Sequence, residues 1–409
     1  MLYQLHEWQR RFLGPITNFA HGAASLYSHP ASPLAYTPFS REISAGYELL
    51  HRLGKNYEKP AFGIHAVDVG SSSIAVTEED LVVKPFCTLK RFRRAGATRD
   101  PKVLLCAPLS GHHSTLLRDT VRQFVVAHEV YITDWKDARM VPMSDGSFHL
   151  DDYIAYLMEF IRLLGPDVHV VSVCQPTVPA LVAVSLLAAE NDPASPRTMI
   201  MMGGPIDTRR SPTEVNALAK RKSHAWFRDN VIYRVPQNYP GFMRQVYPGF
   251  LQHAGFVAMN PDRHLDSHWA FYQQLVAGDG ESAAAHRAFY DEYNAVLDMD
   301  ADYYLDTIRL VFQEHALPCG TWVTGPTLGS RKVEPATIKR TALFTIEGEL
   351  DDISGSGQTE AAHGLCTSIP RARKLHFTAP KCGHYGIFSG RRWRELIYPR
   401  IATFIRKHA

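Results

Sequence analysis

The stretch VHVVSVC (Val168–Cys174), running straight into QPTVPALVAVSLLAAEN, constrains this chain more than any other. Its valines make a short β-branched apolar run, the composition of a strand covered on both faces. Behind it, Pro176 stands where the first turn of a helix needs no N–H, and Ala180, Leu181, Val184 and Leu187 continue at helical spacing. A strand that becomes a helix so quickly must turn sharply, and Cys174 is the apex of that turn. Compact residues are needed on either side, and Ser172 and Pro176 occupy those places. A cysteine at such an apex is either a displayed nucleophile or an inert thiol closing a core strand.

The same alternation surrounds it. VLLCAPL (Val103–Leu109) predicts a strand, SGHH a loop and STLLRDTVRQFVVAH a helix. EVYITDW (Glu129–Trp135) is the next strand, LDDYIAYLMEFIRLLG a helix capped by Gly165, and TMIMMGGPID (Thr198–Asp207) follows the central unit. Repeated strand–helix units predict an α/β protein with a doubly wound, mostly parallel sheet. Ahead of the units, residues 1–60 read as a helical, aromatic-rich segment broken at Gly14-Pro15, Pro30, Pro33 and Pro38. Leu2, Leu5, Trp8 and Phe12 share one helical face; it is expected to pack on the body of the protein, the alternative being contact with a hydrophobic surface. AFGIHAV and SIAVTEEDLVVKPF then suggest an antiparallel hairpin or meander. After Asp207 the alternation stops. Residues 208–335, rich in Trp, Tyr, Phe and Met, read as a helical cap inserted into a core made of 61–207 and 336–409. Alternation resumes with TALFTIEGELDDI (Thr341–Ile353) and KLHFTAP (Lys374–Pro380).

Composition narrows the function classes. A net charge of +3 without a dense Lys/Arg run argues against a nucleic-acid partner. The 6 cysteines are scattered, with no C-x-x-C pair, so neither a disulfide framework nor a zinc site is expected. MLYQLHEWQRRFLGP lacks the apolar core of a signal peptide, and no later segment suits a bilayer span, so a cytoplasmic protein with reduced thiols is expected.

The residue types of a nucleophile–acid–histidine triad follow in the chain order of an α/β-hydrolase, each at the end of its own strand. They are Cys174, an acid at Asp351 or Asp352, and His384 in the loop KCGHYGIF. Asp351 is preferred, with Asp352 as a turn acid. The imidazole takes the thiol proton, the carboxylate fixes its tautomer, and backbone N–H groups hold the oxyanion. Those donors are expected at Gln175, directly after the nucleophile, and at Leu109 or Ser110 after the first parallel strand. His112 and His113 read as loop hydrogen-bonders, with His112 a candidate substrate contact; Cys382 reads as a packed thiol, and Gly203-Gly204 as a turn. No metal is expected.

The segments APLSGHHSTLLRDTV, VCQPTVPALVAVSLL, EGELDDISGSGQT and CGHYGIFSGRRWR together resemble the intracellular polyhydroxyalkanoate (polyhydroxybutyrate) depolymerases over nearly the whole chain. The resemblance implies an α/β-hydrolase fold with an inserted helical cap and a triad of Cys174, Asp351 and His384. It also implies an amorphous poly(3-hydroxybutyrate) granule as partner. Ester cleavage would pass through a cysteine acyl-enzyme, with no cofactor, although coenzyme A could accept the acyl group in place of water. A polyhydroxyalkanoate synthase and a granule-coat protein without turnover are the alternatives. Oligomeric state is not legible.

Overall fold

The computed structural model describes residues 2–97, 99–259 and 261–409. Two N-terminal helices come first, α1 (Leu2–Ser28) and α2 (Ser40–Gly54). α1 is not broken at Gly14-Pro15 as the sequence suggested. Pro15 withholds one backbone donor, but Ala20, Ala23 and Ala24 hold the helix against α2, and a Cβ on Gly54 would lie 2.6 Å from Thr17, showing how closely the two backbones approach. The expected inward face is also corrected. Small residues and Tyr3 turn inward on α1, while Leu5, Trp8 and Phe12 face solvent.

Strands β1 (Ala66–Val69), β2 (Ser72–Val83) and β3 (Cys87–Arg94) form an antiparallel meander. β4 (Lys102–Cys106), α3 (Arg118–Val125), β5 (Glu129–Trp135), α4 (Leu150–Leu164), β6 (Val168–Val173), α5 (Thr177–Ala189) and β7 (Thr198–Met202) then alternate. An insertion follows with α6 (Glu214–Arg221), α7 (His224–Val231), β8 (Tyr233–Arg234), β9 (Gln245–Tyr247), α8 (Gly249–Met259), α9 (Pro261–Ala277), α10 (Gly280–Tyr293), β10 (Met299–Asp300) and α11 (Ala301–Thr307). β11 (Ala342–Gly348), β12 (Lys374–Ala379) and a closing helix, Tyr398–His408, complete the core.

The main sheet has the order β1-β2-β3-β5-β4-β6-β7-β11-β12, parallel from β5 onward, with β3 antiparallel to β5. This is the α/β-hydrolase fold, with the inserted cap between β7 and β11. Every residue of β4 after Lys102 and every residue of β6, β7 and β11 is buried, which is why these strands read as unbroken apolar runs. α5 is buried almost all round, as expected of a helix without a polar face.

The insertion is less purely helical than its sequence suggested, because β8, β9 and β10 form a small antiparallel sheet. That sheet is clamped to the core by Arg244, which bonds Asp300 at 2.8 Å and donates to the carbonyls of Val141, Pro142 and Gly146. Asp300 in turn caps α11 by accepting from the Asp302 amide at 3.1 Å. Both charges are buried; burial raises the Asp300 pKa to about 6, with Arg244 opposing the shift.

Candidate active site

β6 delivers Cys174 to the carboxyl edge of the sheet in a conformation that side chains avoid. Cys174 has φ 66, left-handed for a residue with a Cβ. Its N–H donates to the Met202 carbonyl at 2.7 Å and its carbonyl accepts from the Thr177 amide at 3.1 Å, so both flanking elements hold the strained turn. Ser172, inside the apolar layer, satisfies its hydroxyl on the Ile200 carbonyl at 3.2 Å. Cys174 is half-buried, whereas Cys87, Cys106, Cys366 and Cys382 are buried and burial raises all four of their pKa values, that of Cys366 to about 12. Those thiols, Cys382 included, are packed groups.

Asp351 follows β11 in a tight turn. Its Oδ1 accepts from the amides of Ile353 and Ser354 at 2.9 and 2.8 Å, and its Oδ2 accepts from His384 Nδ1 at 2.8 Å. Asp352 points to the exposed side, so the structure brings Asp351 to the histidine. His384 opens the turn after β12, is buried, and neighbours Cys174. Burial disfavours its imidazolium, but the neighbouring Cys174 and Asp351 outweigh burial and hold the pKa well above the ordinary histidine value. Sulfur, imidazole and carboxylate therefore stand in the order needed to move a proton from thiol to ring.

Two glycines that the sequence offered only as a turn make room for this. A Cβ on Gly203, at φ +58, would lie 2.5 Å from Ile387 and 3.3 Å from both Asp351 Oδ2 and His384 Cε1. One on Gly204 would strike the Thr177 hydroxyl at 1.8 Å. The signal was available: a Gly-Gly pair ending the strand beside an elbow strand marks a close approach.

The loop after β4 is fixed by Ala107, whose N–H donates to Thr133 Oγ1 at 2.9 Å and whose carbonyl accepts from Trp135 and Tyr153. Leu109 N–H donates to Gln175 Oε1 at 3.3 Å, so one expected oxyanion donor faces the side chain of the other. Gln175 Nε2 donates to the hydroxyl of Tyr303, a buried residue of α11 that stacks on Tyr153 with ring centres 5.6 Å apart. Nothing in the sequence pointed to Tyr303, which reaches the site only through the insertion. Ser110 is half-buried beside them. His112 is buried, bonds the Tyr293 carbonyl at 3.2 Å, and is held neutral by burial, which lowers its pKa to about 4. His113 is lowered to about 3 for the same reason. Among the described residues no His/Cys/Asp/Glu group could hold a metal ion, and no helix is long and apolar enough to cross a membrane.

Residues 203–409, just over half of the chain and including Asp351 and His384, match the family described as PHB de-polymerase C-terminus. No curated protein matches the chain. Among solved structures it is similar to a monoacylglycerol lipase from Paleococcus ferrophilus, at 12% identity over 78% of this chain and 99% of that one, TM-score 0.45. It is also similar to a 2-hydroxy-6-oxo-6-phenylhexa-2,4-dienoate hydrolase from Rhodococcus sp., at 12% identity over 81% and 99%, TM-score 0.43. A thermophilic esterase from Thermogutta terrifontis is similar at 13% identity over 84% and 98%, TM-score 0.40.

Proposed function

The chain belongs to the PHB de-polymerase family, a family of carboxylic ester hydrolases, and on that premise we propose that it cleaves poly(3-hydroxybutyrate) of intracellular storage granules through a cysteine acyl-enzyme. The observation that carries the reading is the strained Cys174 beside a His384 that Asp351 holds at 2.8 Å.

In this reading Cys174 gives its proton to His384 and its sulfur attacks a backbone ester carbonyl, forming a C–S bond. The tetrahedral oxygen accepts from the Gln175 N–H and from the Leu109 N–H, replacing Gln175 Oε1 as the acceptor on the latter. Collapse breaks the C–O bond, and the imidazolium protonates the departing alkoxide of the polymer chain. Water, deprotonated by His384, then attacks the thioester, releasing a hydroxyacid end and returning the thiol. Coenzyme A in place of that water would release the acyl group as its thioester, and product analysis with and without coenzyme A distinguishes the two acceptors.

The test is an acyl adduct on Cys174, sought by mass spectrometry during turnover of amorphous polymer. The adduct should map to the peptide containing Cys174, and Cys174→Ala should release no hydroxybutyrate. Full activity in Cys174→Ala would end the proposal.

A further inference from the structure

The outward face of α1 carries Leu5, Trp8, Phe12, Ile16, Phe19 and Leu26 at helical spacing, all largely exposed, with Phe19 set edge-on to a ring of α2, Tyr47, at 6.2 Å. Trp8 is 72% exposed, Phe12 80% and Phe19 69%. These three rings alone present on the order of 450 Å² of apolar surface, already the size of the largest patch on an ordinary monomer, about 300–600 Å². From Leu5 to Leu26 the ridge runs about 32 Å. We propose that this ridge is the surface by which the chain lies on the condensed polyester itself. The proposal rests on the function proposed above and deepens it by naming where an insoluble substrate is met.

The ridge is presented rigidly. On the inner side, Tyr3 donates to Asp298 Oδ2 at 2.6 Å, His6 stacks on Phe250 at 4.0 Å, and Glu7 accepts from Tyr239 at 3.0 Å. Further along, Ser44 and His51 of α2 bond the carbonyls of Ala24 and Thr17, each at 2.9 Å. Both ends of α1 are thus tied down by its buried side, and the apolar side is free to meet a surface.

Charge selects the kind of surface. α1 has no lysine and no exposed carboxylate; Arg10 is tied to Glu7 and Asn56, which leaves Arg11 as its exposed cation. A helix that binds anionic lipid carries a Lys/Arg-rich polar face, and α1 lacks one. A polyester is uncharged and offers only ester acceptors. A neutral apolar ridge flanked by the amide donors of Gln4, Gln9 and Asn18 complements it.

The platform is also joined to the site. Arg52 of α2 bonds Asp291 of α10 at 2.9 Å, and Arg287 of α10 bonds Glu48 of α2 at 2.9 Å. α10 carries the exposed Phe289, stacked on Tyr293 at 5.5 Å; Tyr293 lies 6.3 Å from Tyr385, and Tyr385 lies 5.9 Å from His384. A series of rings therefore runs from the surface beside the platform to the imidazole of the triad.

The experiment is cosedimentation with artificial amorphous poly(3-hydroxybutyrate) granules, using the full chain as Cys174→Ala so that the granules are not consumed. Introducing Trp8→Glu, Phe12→Glu and Phe19→Glu together should weaken binding at least about a hundredfold, with the melting temperature retained. Phe12→Gln alone, at the most exposed ring, should give a partial loss and serves if the triple variant does not fold. Unchanged sedimentation of the folded triple variant overturns the proposal. So does equal binding to phosphatidylserine vesicles, which would make the ridge a membrane face. A dimer that the triple variant converts to monomer while granule binding persists also overturns it, since the ridge would then cover a second copy. Binding is read here without turnover, so absence of an acyl adduct on Cys174 would sink the chemistry and leave this result standing.

Discussion

The elbow and the N-terminal helix pair show opposite uses of apolar residues. Around Cys174 every apolar side chain of β6 and nearly all of α5 is buried, and the half-buried groups left at the turn are the sulfur and Gln175. Along α1 the rings of Trp8, Phe12 and Phe19 face outward, while the small residues and Tyr3 face inward. The core spends its hydrophobicity on holding one atom in a strained position; the helix pair keeps its own available. A charged substitution would unfold the first region and only redirect the second. What the elbow loses is precision, at a cost in rate; what the ridge loses is contact with a surface.

After the complete loss expected of Cys174→Ala, the largest effect on the elbow's chemistry is expected from Asp351→Asn. The asparagine carbonyl can still accept from the amides of Ile353 and Ser354, so its NH₂ would face His384 Nδ1 and force the ring proton onto the nitrogen facing Cys174. With the wrong tautomer, kcat should fall by roughly 10⁴ while the fold is kept. The pH profile should change in a defined direction. In the wild type Asp351 helps raise the His384 pKa, so the imidazolium that protonates the leaving group persists toward alkaline pH. Without that carboxylate the pKa falls, and the alkaline limb of residual activity should move to lower pH. A loss below tenfold with an unmoved limb would show that the 2.8 Å contact does no catalytic work.

Gly203→Ala sharpens the contrast by perturbing precision alone. The methyl would occupy a left-handed backbone position at a strain of about 1–2 kcal/mol, press on the Cδ1 end of Ile387, and stand 3.3 Å from both His384 Cε1 and Asp351 Oδ2, tight against the pair it would displace. Misplacement of a reacting group by about 1 Å costs on the order of 10² in rate, so kcat on a soluble ester should fall by about that factor with KM little changed. If instead only the melting temperature falls, Gly203 is a folding residue and the triad tolerates its neighbour.

The same contrast explains what could be read from the sequence. The parallel strands β4, β6, β7 and β11 were legible because a strand buried on both faces has one composition, and Cys174, Asp351 and His384 stood out because each follows a strand in the order a nucleophile, acid and histidine would take. Asp351 was preferred to Asp352 from chain order and resemblance, but both sit in one acidic turn, and the physical reason appears only in the turn's hydrogen bonds, which set the Asp351 carboxylate inward. α1 was misread for a different reason. Periodicity finds an apolar face but does not say which way it points, and the alanines that pack α1 on α2 are a weaker signal than Trp8 and Phe12. Pro15 was overread as a break, because tertiary packing outweighs one lost backbone bond. Tyr303 was invisible because its role depends on the insertion folding back onto the elbow.

That residue offers the finest test, because it belongs to the insertion yet acts on the core. Tyr303 accepts from Gln175 Nε2 while Gln175 Oε1 accepts from Leu109, so the side chain after the nucleophile is held at both ends. Tyr303→Phe keeps the ring that stacks on Tyr153 and removes only the hydroxyl. An unpartnered amide in this partly buried place costs about 1–3 kcal/mol. The lower end of that range, expressed in the transition state through a less firmly placed Gln175 N–H, is about tenfold in kcat. The readout that separates this role from mere packing is the division between kcat and stability. A drop in melting temperature at unchanged kcat would mean that the insertion covers the elbow without tuning it. A tenfold loss of kcat at nearly unchanged stability would mean that the clamp from Arg244 through Asp300 and α11 ends in the oxyanion donors, so that the two regions differ in what they face but share one catalytic task.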